Sequence, residues 1–143
     1  MKKLQFLTYL FAVLFTVTMV SCDDDDDDND VDPGKEAMLT AGVWTGDKIY
    51  YQGADFTEQL SGFLDIKSAT VDFNADGTYT GNLDGDSESG TWEFTNNETQ
   101  IIMDADTDDE IIVDINRLTA TELWVEGDYM GTGEETIELR FKK

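Results

Sequence analysis

The chain has 143 residues, 32 of them acidic against nine basic, with no histidine, one cysteine and one proline, for a net charge of −23 at neutral pH. Without histidine or a second cysteine, Ser–His and Cys–His catalysis, histidine-based metal sites and an internal disulfide are excluded. The negative charge disfavours nucleic acid, whose binding rests on neutralising phosphates, and anionic lipid head groups.

Lys2 and Lys3 precede an apolar run from Leu4 to Val20, which Ser21 and Cys22 follow. Cations, a hydrophobic stretch of this length and a small residue at the cut site describe an export signal, residues 1–21. Met19-Val20-Ser21-Cys22 resembles a bacterial lipobox, with Met where that family usually has Leu. The resemblance implies lipid attachment at Cys22: a diacylglycerol on its sulfur, then cleavage and a further acyl group of the palmitate kind. No other stretch of the mature chain is long enough to span a bilayer. Acyl carbons contribute about 0.8 kcal/mol per CH₂, so several chains together anchor firmly.

Asp23 to Asp28, then Asn29 and Asp30, repel one another into an extended tether over residues 22–34, which Pro33-Gly34 ends. Flexible carboxylates of this kind form no defined metal cage. An acidic run directly after an acylated cysteine is similar to the surface-export signal of lipoproteins in certain gut-type Gram-negative bacteria. That implies a lipid-anchored outer-membrane protein exposed at the cell surface; a periplasm-facing anchor is the alternative.

Residues 35–143 are enough for one small domain with one core, carrying 24 acidic and seven basic side chains. Lys35 to Thr40 suggests a short helix or turn. Period-two alternation then predicts strands at Val43–Gln52, Thr70–Phe73, Thr78–Leu83, Gly90–Thr95, Thr99–Met103, Glu110–Asn116, Glu122–Glu126 and Thr136–Phe141. Asp76-Gly77 supplies the positive φ of a tight hairpin. Phe73, Tyr79, Trp92, Phe94, Val113 and Leu123 belong to the inward set, while Asp72, Thr80, Glu93 and Asp114 alternate outward.

Between the first two strands Asp55-Phe56-Thr57-Glu58 reads as a capping box, and Phe56, Leu60, Phe63 and Leu64 recur at helical spacing. Gly62 weakens that helix by roughly 1 kcal/mol, so it is short, with its apolar stripe over one end of the sheet. The fold class is therefore all-β: an eight-stranded antiparallel up-and-down barrel with one short helix between strands one and two. Such a barrel is either filled by side chains or holds one small ligand.

Gly42-Val43-Trp44, Val71 to Tyr79, Gly90-Thr91-Trp92, Ile115 to Thr119 and Leu123-Trp124-Val125, in this order and spacing, resemble the lipocalin-like domain of small bacterial lipoproteins. The resemblance covers Thr40 to Lys143. It implies a barrel that permits ligand binding, without the C-terminal helix of true lipocalins. Lipocalins also pack an arginine across the tryptophan of Gly-x-Trp. Arg140 is the candidate, although its parity with Leu139 and Phe141 points it outward.

No catalytic residue and no cofactor are expected. At this density of acids, neighbouring carboxylates arise by accident and are weak grounds for acid–base catalysis. Asp72-x-Asn74-x-Asp76-Gly77 copies half an EF-hand loop, but Leu83 occupies the place of its bidentate glutamate and strands flank it, so no metal is assigned. Trp44, Tyr79, Trp92 and Phe94 are the candidate ligand-binding residues, with plain core as the competing reading. Trp124 should face outward, either as contact surface or covered by the neighbouring loop. Two functions follow. One is a surface-anchored binding module for a small apolar or amphipathic molecule, with a cavity of a few hundred cubic ångströms. The other is an interaction, accessory or inhibitor module with a filled barrel, whose protein partner the sequence does not name.

Overall fold

The structure, a computed structural model, describes residues 34–143 except Met130 and Glu134. The export signal, Cys22 and the aspartate run lie outside the described residues. Helix α1 (Lys35–Leu39) leads into β1 (Trp44–Tyr51), which turns at Gln52-Gly53 into the two-residue β2 (Ala54–Asp55). Helix α2 (Thr57–Leu60) and a 3₁₀ turn (Ile66–Ser68) follow. An antiparallel meander completes the chain: β3 (Thr70–Phe73), β4 (Thr78–Leu83), β5 (Asp86–Thr95), β6 (Gln100–Met103), β7 (Ile111–Leu118), β8 (Glu122–Gly127) and β9 (Ile137–Lys142).

Each strand from β3 to β9 pairs with the next, and β1 pairs with both β3 and β9, closing an eight-stranded barrel with β2 as an outer flap on β1. Closure leaves the barrel without a free edge along most of its girth, which is how a sheet of this size avoids pairing with another chain. Short polar turns set the register. Asp76 Oδ1 accepts from the Thr78 N–H (3.0 Å) and hydroxyl (2.6 Å), while Gly77 takes φ 86°. Asn74 donates its side-chain amide to the Thr78 hydroxyl, so the half EF-hand pattern serves the hairpin. Asp84-Gly85, both at positive φ, make the two-residue turn that the right-handed twist of paired strands favours.

That second turn corrects the sequence expectation of a loop from Asp84 to Ser89: β5 begins at Asp86 and pairs with β4 along its whole first half. The helix between the first two strands is corrected as well. It is four residues long, Phe63 is 81% exposed instead of buried on its stripe, and no capping box forms. Asp55 accepts from the N–H and hydroxyl of Thr57, and Glu58 pairs with Lys67 at 3.0 Å. Leu60 and Leu64 do pack on Ile49, Ile66, Ala69 and Ile137 at that end of the sheet.

The barrel has two unlike ends. One carries the β3–β4, β5–β6 and β7–β8 turns, α1 and the C-terminus. Leu39 and Trp44, both fully buried, close it, with Phe73 and Trp92 packed above. Lys35 donates to the Glu98 carbonyl and Lys143 to the Met38 carbonyl, both at 2.8 Å, fastening α1 and the last residue across it. The other end carries the β1–β3 segment, the Asp84-Gly85 turn and the long β6–β7 and β8–β9 loops. The 3₁₀ turn docks there on Gly46, where a Cβ would lie 1.9 Å from the Ile66 carbonyl oxygen.

Candidate ligand-binding cavity

The inward faces of the strands do not meet at the open end. They enclose a cavity of about 400 Å³ whose wall is largely apolar, with Val71 and Phe73 of β3, Ile101 and Met103 of β6 and Leu123 and Val125 of β8 among its lining. Leu64 and Ile66 border it from the β1–β3 segment, and Leu83, Asp84, Asp86 and Glu88 from the β4–β5 hairpin. Among the described residues no lysine or arginine lines it. Two depressions of similar volume, about 380 and 410 Å³, lie on the outer wall, the first among polar residues around Glu138 and Arg140.

Two tyrosines, Tyr79 and Tyr129, contribute to this wall. Tyr79 of β4 donates its hydroxyl to Asp104 Oδ2 at 2.7 Å, and Asp104 Oδ1 accepts from the Thr91 N–H at 3.0 Å. A Cβ at Gly90 would fall 1.9 Å from that carboxylate, so glycine is what admits it to the β5 backbone. Burial, then the bond to Asp104, pushes the Tyr79 phenol up, and it remains a protonated donor. Tyr129, from the β8–β9 loop, packs against both core clusters and lines the cavity. Its hydroxyl is buried with no hydrogen-bond partner among the described residues. Burial, then the Glu126 charge, pushes this phenol up too.

Of the four aromatic residues expected at a ligand, Tyr79 alone lines the cavity. Trp44, Trp92 and Phe94 sit towards the closed end. The Trp44 indole N–H donates to the Leu39 carbonyl at 2.8 Å and that of Trp92 to the Asn74 carbonyl at 2.9 Å. The Trp92 ring stands edge-on between Phe73 and Phe94, with centroids 5.6 and 5.3 Å away. These are packed core positions with their polar handles satisfied.

The cation across the Gly-x-Trp tryptophan is Lys143, whose Nζ lies 4.0 Å from the Trp44 ring centroid. Burial pulls its ammonium below the usual lysine value, against the charge of Asp72. Arg140 faces outward, as its parity required, and its guanidinium lies 3.7 Å from the ring centroids of both Tyr50 and Trp124. Arg117 covers Trp124 further, at 5.1 Å, so that tryptophan is a covered outer-wall residue instead of open contact surface. Among the described residues no three carboxylates gather into a group that could hold a metal ion.

A closed eight-stranded barrel, plugged by tryptophans at one end and hollow at the other, defines a ligand-binding type of domain. Residues 40–125 match the lipocalin-like domain family, and the chain belongs to it. A crystal structure of a DUF4847 family protein from Bacteroides vulgatus ATCC 8482 shares the fold, with a TM-score of 0.55 and 16% identity over 76% of this chain and 96% of that one. No curated protein matches the chain.

Proposed function

We propose that this chain is an exported lipoprotein, acylated at Cys22 and displayed at the outer-membrane surface on its acidic tether, whose barrel binds a small apolar or amphipathic molecule. The observation that carries the binding function is the cavity. At about 400 Å³, with apolar walls and a few polar groups, it falls within the usual range for small-molecule sites. A filled interaction module would have used that volume for side chains, as the closed end does. The fold belongs to a family of binding barrels, which favours capture over catalysis.

Displacement of an environment-sensitive apolar dye from the full-length protein tests the binding function. Saturable uptake with competition by small amphiphiles is expected; absence of any uptake by folded protein would leave the accessory role. Anchoring is tested by Cys22→Ala, which should move the protein out of the membrane fraction. Equal recovery of mutant and wild type in carbonate-washed membranes would sink the lipoprotein assignment. Replacing Asp23 to Asp28 by asparagine should preserve acylation and reduce cleavage by external protease if the run is an export signal.

A further inference from the structure

Resting on the binding function proposed above, we infer that Tyr129 is a displaceable stopper: in the ligand-free protein the β8–β9 loop inserts its side chain into the cavity wall, and an apolar ligand enters by taking its place. A tyrosine near a protein surface ordinarily covers its apolar body and keeps its hydroxyl wet. Tyr129 reverses that arrangement. The residue as a whole is half-buried, yet its hydroxyl oxygen is sealed from solvent and has no hydrogen-bond partner among the described residues. Tyr79, the other tyrosine of the wall, gives its hydroxyl to Asp104. Leaving a buried polar group unpaired forfeits its hydration with no return, so the inserted position of Tyr129 is less favourable than its packing alone would make it. Leaving the wall would return that hydroxyl to water.

The loop that carries Tyr129 is built to let it go. The β8–β9 ladder ends at Gly127 and Ile137. Gly127 is pressed onto β7, since a Cβ there would lie 2.9 Å from Val113 Cγ1, and Thr136 donates its hydroxyl to Glu126 Oε1 at 2.5 Å. Between these fixed points Asp128 accepts from the N–H groups of Thr132 at 3.2 Å and Gly133 at 2.5 Å, which closes the loop on itself. Gly131 and Gly133 take φ 66° and 70°, and a Cβ built on either would meet nothing within 4 Å. A self-contained turn with open space around it can swing beyond Gly127 without breaking a ladder bond. Packing of Tyr129 against both core clusters holds it down. The other apolar lining residues stand on strands or on the β1–β3 segment, so Tyr129 is the wall residue with freedom to leave. Its departure adds the volume of a phenol ring to the space of about 400 Å³, which suits an apolar body larger than the resting cavity admits.

Uptake of N-phenyl-1-naphthylamine, a neutral apolar dye, by the full-length protein tests the stopper through two substitutions of opposite sign. Tyr129→Ala removes the ring and should tighten dye binding about tenfold, because the open form no longer competes with an inserted one. Tyr129→Phe keeps the ring and deletes the unpaired hydroxyl, so the inserted form gains. The melting temperature of the ligand-free protein should rise and dye binding should weaken about fivefold. Amide exchange of residues 128–136 gives a readout on the wild type itself. Saturation with dye should speed exchange there as the loop is displaced, whereas a ligand lying against a fixed wall would slow it or leave it unchanged. Unchanged or slower exchange in a wild type that takes up dye would overturn the stopper. So would a Tyr129→Phe variant that melts lower, or binds dye as tightly as wild type. These two measurements decide the matter even where Tyr129→Ala does not fold. Uptake by folded Tyr129→Ala alone would make Tyr129 a fixed part of a filled wall and overturn its displacement. No uptake by any of the folded proteins would instead refute the cavity as a ligand site, and with it the function on which the stopper rests.

Discussion

At the closed end of the barrel both buried indoles donate to backbone carbonyls, Trp44 to Leu39 and Trp92 to Asn74, and aromatic edges fill the space between them. At the open end a cavity of about 400 Å³ remains and the buried Tyr129 hydroxyl has no hydrogen-bond partner among the described residues. The same strands pass through both regions, so strand propensity does not account for the contrast. Side-chain volume contributes: Trp44 and Trp92 fill the closed end, whereas Ala69, Val71, Val113 and Val125 border the hollow beside larger side chains such as Phe73 and Phe141. Charge follows the same division, with Lys35 and Lys143 fastening the plug and acidic loops surrounding the mouth. Stability is concentrated where packing is complete, and the less complete packing lies where a ligand would enter.

The sharpest way to break this comparison is to truncate both regions. Trp44→Ala and Trp92→Ala should each cost about 3–5 kcal/mol, because each empties a closed site whose neighbours are held by the barrel wall. Met103→Ala should fall at the low end for such a truncation, about 2 kcal/mol, since part of its surface already faces a void. Urea midpoints with unchanged slopes would measure all three. Equal losses at Trp92 and Met103 would mean that the two ends are packed alike. Gly46→Ala comes next, at roughly 1–3 kcal/mol, because its new methyl group meets the backbone of Ile66 and the 3₁₀ turn must shift. A neutral result there would show that the turn is not docked on β1.

Much of the barrel was legible from the sequence, for identifiable reasons. β3 and β4 fall at the residues that alternation predicts, because Val71, Phe73 and Tyr79 alternate with polar partners and Asp76-Gly77 fixes the turn. The first half of β5 was not, since Asp86-Ser87-Glu88-Ser89 is polar on both faces and has no period to read. Its signal was Asp84-Gly85, the same dipeptide chemistry as in the preceding hairpin. Parity gave the facing of the candidate site residues but not their height along the barrel axis. Height separates Tyr79, in the cavity, from Trp92 and Phe94 in the plug. Tyr129 carried no signal, because it reaches the interior from a loop.

A smaller effect sharpens the comparison from the side of volume. Ala69→Leu adds bulk where the open end has room, so its stability cost should stay below about 1.5 kcal/mol. Dye uptake should fall sharply in the same variant. A large stability loss with unchanged uptake would mean that Ala69 borders packed core and not the binding space.

The smallest effect concerns acid. Asp76, in the β3–β4 turn at the closed end, is held below the usual carboxylate range by the Thr78 hydroxyl and then by the Thr78 N–H. A carboxyl whose pKa is lower folded than unfolded stabilises the fold above the unfolded value. That contribution is lost as pH falls through the unfolded value towards the depressed folded one. Asp76→Asn keeps an oxygen able to accept from Thr78 but cannot titrate. Neutral-pH stability should therefore fall slightly, by what the ionised carboxylate contributes, while the loss of stability on acidification becomes shallower. Urea midpoints of the two proteins from neutral pH down through the carboxylate range would show it. If their acid limbs superimposed, the Asp76 carboxylate would not be coupled to folding, and its bonds to Thr78 would be replaceable by water.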